Sequence, residues 1–196
     1  GTFFGTLRLW GLMIAVLVQA LMGMLSDHST LRWGRRRPFI LIGTVANMIL
    51  FIVIGLISDL EGMAGFWTLF IVANLSQVAS NTAHGAQQGL IPDLVPRDLR
   101  GRFSGVKAVL EVPLPVILVA LAVAPLIAQG SLWGALFVLI GVLGVVMAVT
   151  MLAPETAQEE PPGKLNWQPF LRLAMMTALF TAVILGMGAG VKTIGR

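Results

Sequence analysis

Five polar side chains recur at helical spacing along an apolar stretch, residues 66–91. Their successive spacings are 3, 4, 3 and 4, which place all five on one face of an α-helix. Amides and imidazoles supply the neutral donors and acceptors that a polyhydroxyl solute such as a sugar needs. The stripe is therefore a candidate substrate-binding face, and its members are Asn74, Gln77, Asn81, His84 and Gln88.

The position of this stripe within a greasy segment limits what it can face. Unsatisfied polar groups in hydrocarbon cost several kcal/mol each, so the stripe must face protein or a water-filled cavity. Two interpretations stay open: cavity lining, or hydrogen bonds between helices, which contribute about 0.6 to 2 kcal/mol each. His84 is the one ionisable member, and it is either a hydrogen-bonded structural residue or a proton carrier.

A second chemical feature is a charged pair in the next apolar stretch. Lys107 and Glu111 are four residues apart and can pair along one helix face. Pro113 and Pro115 follow, and prolines loosen a helix and free carbonyl groups. The pair is a candidate coupling site for a proton or another cation, or alternatively an ion pair near the membrane surface.

A third feature is the arginine-rich segment 23–40, GMLSDHSTLRWGRRRPFI. Gly23 lies one helical turn before Asp27 and would let a neighbouring helix approach closely. Carboxylates that face guanidinium groups form charge-assisted hydrogen bonds, and such pairs suit a gate that makes and breaks contacts. The alternative is that the loop only fixes topology and contacts lipid headgroups. The gating motif comprises Gly23, Asp27, Arg32, Gly34, Arg35, Arg36 and Arg37.

The elements that must position these residues follow from composition. The chain of 196 residues is 57% hydrophobic and 11% charged, less than half the charged share of an average soluble domain. Since about 20 apolar residues cross a bilayer, the sequence predicts an all-α, polytopic membrane helical bundle of about six transmembrane helices. The predicted spans are residues 7–25, 39–57, 66–91, 106–128, 132–152 and 170–190.

Charge in the connections predicts how the bundle is oriented. Connections 27–37, 92–104 and 154–169 carry Lys or Arg, and they alternate with connections that carry none. The positive-inside rule places the basic connections in the cytoplasm. The few basic residues lie in loops, which argues against a nucleic-acid partner.

The sequence argues against an enzyme. It contains no HExxH and no GxSxG motif, and no aspartate pair at enzyme-like spacing within a span. We therefore expect no catalytic residues, no metal and no cofactor. No signal peptide is recognisable after Gly1, and we expect the chain to be part of a longer protein.

Two blocks carry a resemblance to a known family. The first, G-x-x-S-D-x-x-x-x-R-x-G-R-R-R-P-F from Gly23, resembles the loop between the second and third helices of major facilitator transporters, and is most similar to their sucrose-transporter branch and glycoside cation symporters. The second block, GLIPDLVP followed by RGRFSG, resembles that group's loop between helices four and five. Many relatives have arginine after the aspartate, where this chain has His28.

The resemblance implies a fold, domains and a mechanism. It aligns the six spans with helices two to seven of twelve, so that 1–152 is an N-terminal half lacking its first helix. Residues 153–169 would be a cytoplasmic linker and 170–196 the first helix of the C-terminal half. The loop would lock the outward-facing state: Asp27 would cap contacts with the other half, and Arg35 and Arg36 would pair with acidic ends of neighbouring helices.

The function expected from the resemblance is secondary active transport of a sugar or glycoside with a proton or cation, by alternating access. The partners would be a small-molecule substrate, the coupling ion, membrane lipid and the remainder of the transporter. The location would be the cell membrane. The alternatives are a transporter of another small solute and a non-transporting membrane protein that reuses the fold.

Overall fold

The computed structural model describes residues 2–31, 33–154, 163 and 165–194, and in this part of the chain the regular secondary structure is helical. The all-α prediction is confirmed. A single π-helical turn, Val119–Val123, interrupts the α-helices. The α-helices are α1 (Thr2–Asp27), α2 (Arg37–Ile57), α3 (Gly62–Gln88), α4 (Leu90–Leu94), α5 (Arg100–Glu111), α6 (Pro113–Leu118), α7 (Ala124–Ala128), α8 (Leu132–Met151) and α9 (Gln168–Ile194).

Within the described residues, four helical segments are long and apolar enough to cross a membrane, and they coincide with the second to fifth predicted spans. The first and sixth predicted spans fall on α1 and α9. The apolar stretches found there, Gly11–Asp27 and Gln168–Ile184, are shorter. The four long segments are Arg37–Ile57, Gly62–Leu94, Arg100–Ala128 and Leu132–Met151.

The fourth span differs from its prediction in both start and regularity. Its helix begins at Arg100 rather than at residue 106. The segment then continues as α5, α6, the π-helical turn and α7, because Pro113, Pro115 and Pro125 lack the N–H that a continuous α-helix requires. Glu111 consequently lies eleven residues along the helix, about 16 Å from its start.

The core of the bundle is α3, which packs against both α1 and α2. Small residues bring α2 and α3 together: a Cβ added to Gly43 would lie 2.6 Å from Ala83 N and 2.7 Å from Ala79 O. The buried Ser76 hydroxyl donates to Asn47 Oδ1 across the same interface, at 2.5 Å. Further out, α8 packs on α2, and α9 packs on α1.

Most of the predicted linker, 153–169, lies outside the described residues. The helix that follows it begins at Gln168, two residues before the predicted boundary at 170. The division of the chain into two halves stays a prediction.

Candidate functional site

The arginine-rich loop between α1 and α2 turns at a glycine. Gly34 has φ of 105°, a left-handed conformation that glycine adopts without strain. Its N–H donates to Leu31 O at 3.2 Å, which closes the turn. The chain then enters α2 at Arg37, with Pro38 in the first helical turn, where its missing N–H has no cost. This geometry directs Arg35 and Arg36 toward the ends of neighbouring helices.

Arg36 is the centre of an ionic network that joins three helix ends. Its side chain is only 6% exposed. Its Nη2 lies 2.5 Å from Asp27 Oδ1, at the end of α1, and its Nε lies 2.6 Å from Asp93 Oδ2, in α4. Its Nη1 also donates to the fully buried Ser26 hydroxyl, at 3.3 Å. One guanidinium therefore connects α1, α2 and α4.

Asp93 completes this network, and the sequence analysis did not single it out. Arg35 Nη2 lies 2.5 Å from Asp93 Oδ2, the oxygen that also accepts from Arg36. Asp93 belongs to the GLIPDLVP block, so the two blocks that carry the family resemblance meet in space. The sequence feature that could have identified Asp93 is a lone carboxylate among apolar residues at the end of a span. We define the Arg35–Arg36–Asp27–Asp93 set as the arginine network.

The remaining members of the gating motif have varied surroundings. Gly23 faces Gly85 of α3, and a Cβ added to Gly23 would lie 3.4 Å from Gly85 O. Arg37 is half-buried at the start of α2, and Arg32 lies outside the described residues. His28, which follows α1 directly, directs Nδ1 to Met24 O in the last turn of that helix, at 2.9 Å.

The polar stripe of α3 divides into two parts. In the first part, Asn74 and Asn81 each direct Nδ2 to a backbone carbonyl four residues earlier, at 2.7 Å. Asn81 is buried, whereas Gln77 is exposed and its side chain has no hydrogen-bond partner among the described residues. The amide oxygens of Asn74 and Asn81 accept no hydrogen bond from the described residues.

The second part of the stripe meets the charged pair predicted in the fourth span. His84 Nε2 lies 3.3 Å from Glu111 Oε1, and Gln88 Nε2 donates to the same oxygen at 3.3 Å. Gln88 Nε2 also lies 2.7 Å from His84 Nε2. We define these two residues with Lys107 and Glu111 as the α3–α5 cluster.

Lys107 links the two helices of the α3–α5 cluster. Its Nζ lies 3.7 Å from Glu111 Oε2, within one helix, and donates a short hydrogen bond to Gln88 Oε1. All four side chains are thus linked across two spans. No group of residues suited to a metal ion occurs in the described part of the chain.

The family can be assigned from these features and from comparison with known proteins. The model of the Major Facilitator Superfamily matches residues 3–194. The chain belongs to the Major Facilitator Superfamily. The resemblance inferred from the two loops is thereby confirmed. Members of this superfamily are membrane transporters and not enzymes, so the protein is an integral, multi-pass membrane protein.

Part of the chain is similar to plant sucrose transport proteins. The chain is 36% identical to sucrose transport protein SUC4 of Arabidopsis thaliana over 109 residues. This aligned region covers 47% of the chain. It is 31% identical over 120 residues to SUC3 of the same plant, covering 53% of the chain. Each match spans 20% of the relative's length. No solved structure matches the chain.

In this superfamily member, the arginine network needs a residue without a side chain at position 89. A Cβ added to Gly89 would overlap the Arg36 guanidinium, although its φ of −82° suits any residue. We expect Gly89→Ala to displace Arg36 and lower the free energy of unfolding by about 1–3 kcal/mol. Thermal unfolding of the purified protein in detergent measures this, with Gly105→Ala, whose added Cβ meets nothing within 4 Å, as control.

A double-mutant cycle makes this expectation specific to Arg36. In an Arg36→Gln background the shorter side chain no longer overlaps the added methyl group, so Gly89→Ala should have little further effect. An equal loss of stability in both backgrounds would contradict the steric account.

Proposed function

We propose that the protein is a secondary active transporter that carries a sugar or glycoside together with a proton or another cation, by alternating access. The observation that carries the proposal is the arginine network, which ties the ends of three helices through one buried guanidinium. The polar face of α3 and the similarity to sucrose transport proteins support the choice of substrate.

The arginine network has the properties required of a gate. Its bonds are ionic and localised at helix ends, so a rigid-body movement can break all of them together without unfolding a helix. Asp27 is about half exposed, and one of its oxygens pairs with Arg36. Its other oxygen is therefore available to a helix of the opposite half, as a lock on the outward-facing state requires.

The polar stripe and the α3–α5 cluster divide substrate binding and coupling between them. Asn74, Gln77 and Asn81 offer neutral hydrogen-bonding groups along one helix face, which suits hydroxyl groups. Glu111 is a carboxylate well inside a span, and a charge at that depth costs about 2.5 kcal/mol or more unless it is compensated. Binding of a proton or cation to Glu111 compensates that charge, and Lys107 competes for the same carboxylate.

The basic residues of the loops support the proposed placement in the membrane. We place the arginine-bearing loops on the cytoplasmic side of the cell membrane, where they contact lipid headgroups. The substrate lies between two halves of such a fold, so transport requires the remainder of the transporter.

Gradient-driven uptake by the full-length protein in proteoliposomes tests the function. We expect labelled sucrose, or a glucoside from a small panel, to accumulate above its equilibrium level under an inward proton or sodium gradient. A protonophore or sodium ionophore should abolish the accumulation. Absence of gradient-driven uptake for every sugar tested would overturn the substrate assignment.

A second measurement separates the two alternatives to sugar transport. Residues 1–196 contain no cysteine, so Asn81→Cys adds the only thiol within them. Protection of this cysteine by a sugar supports the proposal, and protection by another solute indicates a different substrate. Indifference to every solute favours a non-transporting membrane protein.

A further inference from the structure

A polar cavity lies between α2, α3 and α8, on a side of α3 that the stripe only borders. Its volume is about 170 Å³. It occupies the part of each helix nearest the arginine loop, since α2 begins at Arg37, α3 ends at Gln88 and α8 ends at Met151. Six of its lining residues are polar: Thr44, Asn47, Ser80, His84, Gln87 and Thr150.

Several of these polar groups have no protein partner in the described part of the chain. The side chains of Thr44, Ser80 and Gln87 make no hydrogen bond there. Asn47 accepts from Ser76 through Oδ1, but its Nδ2 donates to no atom of the described residues. Thr44 and Asn47 are 9% and 6% exposed, and their unpartnered polar atoms are not fully enclosed by protein, so these atoms open onto the cavity. Enclosing such a group without any partner would cost about 1–3 kcal/mol, so a partner inside the cavity is favoured.

Water is the ligand that fits this cavity. The lining offers donors and acceptors from three helices and no charged side chain. One water occupies about 30 Å³ in the liquid, so the volume accommodates roughly five waters. Buried waters typically make about three hydrogen bonds to groups that are otherwise unsatisfied.

His84 connects the cavity with the α3–α5 cluster. It lines the cavity, and its Nε2 faces Gln88 and Glu111. Its Nδ1 has no protein partner among the described residues. Because Lys107 donates to Gln88 Oε1, the Gln88 amide group turns its N–H toward His84 Nε2. The tautomer that carries its proton on Nδ1 lets Nε2 accept from Gln88.

We propose that this cavity is a water-filled chamber and that His84 relays protons between its water and the carboxyl group of Glu111. In release, protonated Glu111 gives its proton to His84 Nε2 while the Nδ1 proton leaves to a chamber water. In loading, both transfers reverse. The charged groups that face His84 are Lys107 and Glu111 of α5, whereas α2 and α8 contribute only neutral residues to the chamber.

Hydration of the chamber is tested without any transport. A thiol reacts as thiolate, which forms in water and not in hydrocarbon. Thr44→Cys places a single thiol in the chamber, and Val45→Cys places one at the same depth on the exposed face of α2. We expect a small methanethiosulfonate ethylammonium reagent to modify Thr44→Cys about tenfold faster. Equal rates, or faster modification of Val45→Cys, would overturn the chamber.

The relay half of the proposal rests on the proposed function and is tested with the full-length protein in proteoliposomes. Glutamine has no imidazole ring and cannot take up a proton at one nitrogen while releasing another from a second, so His84→Gln should lower the number of protons moved per solute molecule about tenfold. Weakened solute binding would lower both fluxes together and leave this ratio unchanged, as would a purely structural role for His84.

The outcomes of these measurements distinguish the two proposals. Absence of solute flux in the unmodified protein means that the proposed function fails, and the relay with it. Solute flux with an unchanged proton ratio in His84→Gln overturns the relay alone.

Discussion

Arg36→Gln is expected to produce the largest loss of transport turnover, about tenfold or more, together with a loss of stability of about 2 kcal/mol. The guanidinium is buried and holds two carboxylates and a hydroxyl. Its removal leaves Asp93 partly buried beside Arg35 alone and disconnects α1 from α4. This loss of stability is smaller than the loss caused by removing one partner of a fully buried ion pair, because the side chains of Asp27 and Asp93 are partly exposed.

Thermal unfolding in detergent and steady-state uptake by the full-length protein measure the two effects. Arg97→Gln is the matched control, since it removes the same charge from an exposed arginine that makes no ion pair in the described structure. Equal losses in both variants would show that loop charge, rather than the arginine network, is what matters.

Gly85→Ala is expected to give the second large effect, at the contact between α1 and α3. A Cβ added there would overlap Gln19 O and lie 3.1 Å from Gly23 N. Both are backbone atoms, so the helices themselves must separate. Overpacking of this kind costs about 1–3 kcal/mol, although alanine by itself favours a helix over glycine.

Gly101→Ala provides the control for Gly85→Ala. Its added Cβ meets nothing within 4 Å, so only the favourable helix propensity remains. The midpoint of thermal unfolding should fall for Gly85→Ala and stay constant or rise for Gly101→Ala. A similar response in the two variants would show that α1 and α3 do not require this close approach.

Hydropathy predicted the four long spans because burial in lipid constrains average composition over about 20 residues and tolerates local irregularity. It did not locate the start of the fourth span. Arginines are compatible with a helix, so the helix begins at Arg100, within what charge alone marked as a connection. The prolines marked the breaks but not the π-helical turn between them.

Periodicity predicted the face of the polar stripe but not what each side chain does. Spacing fixes the direction of Asn74 and Asn81 around the helix axis. It does not fix the rotamers that return their amides to their own backbone. The role of the stripe in substrate binding stays a prediction.

The cross-helix partners needed the fold. Asp93 lies 57 residues from Arg36, and no local pattern connects them. Gly23 was singled out from its position before Asp27, whereas the tighter contact belongs to its partner Gly85. Thr44 and Asn47 are isolated polar residues in an apolar span. Only the packing of α2, α3 and α8 shows that they share a cavity with His84.

The π-helical turn at Val119–Val123 has a mechanical consequence. In this widened turn, which lies between prolines, fewer and weaker backbone hydrogen bonds replace those of a regular α-helix. The helical segment therefore bends most easily there. The span that contains it is also the least buried of the four, with few neighbours to resist bending. A bend at this turn would change the angle between α5, which bears Arg100 and Arg102, and α7 without breaking either helix.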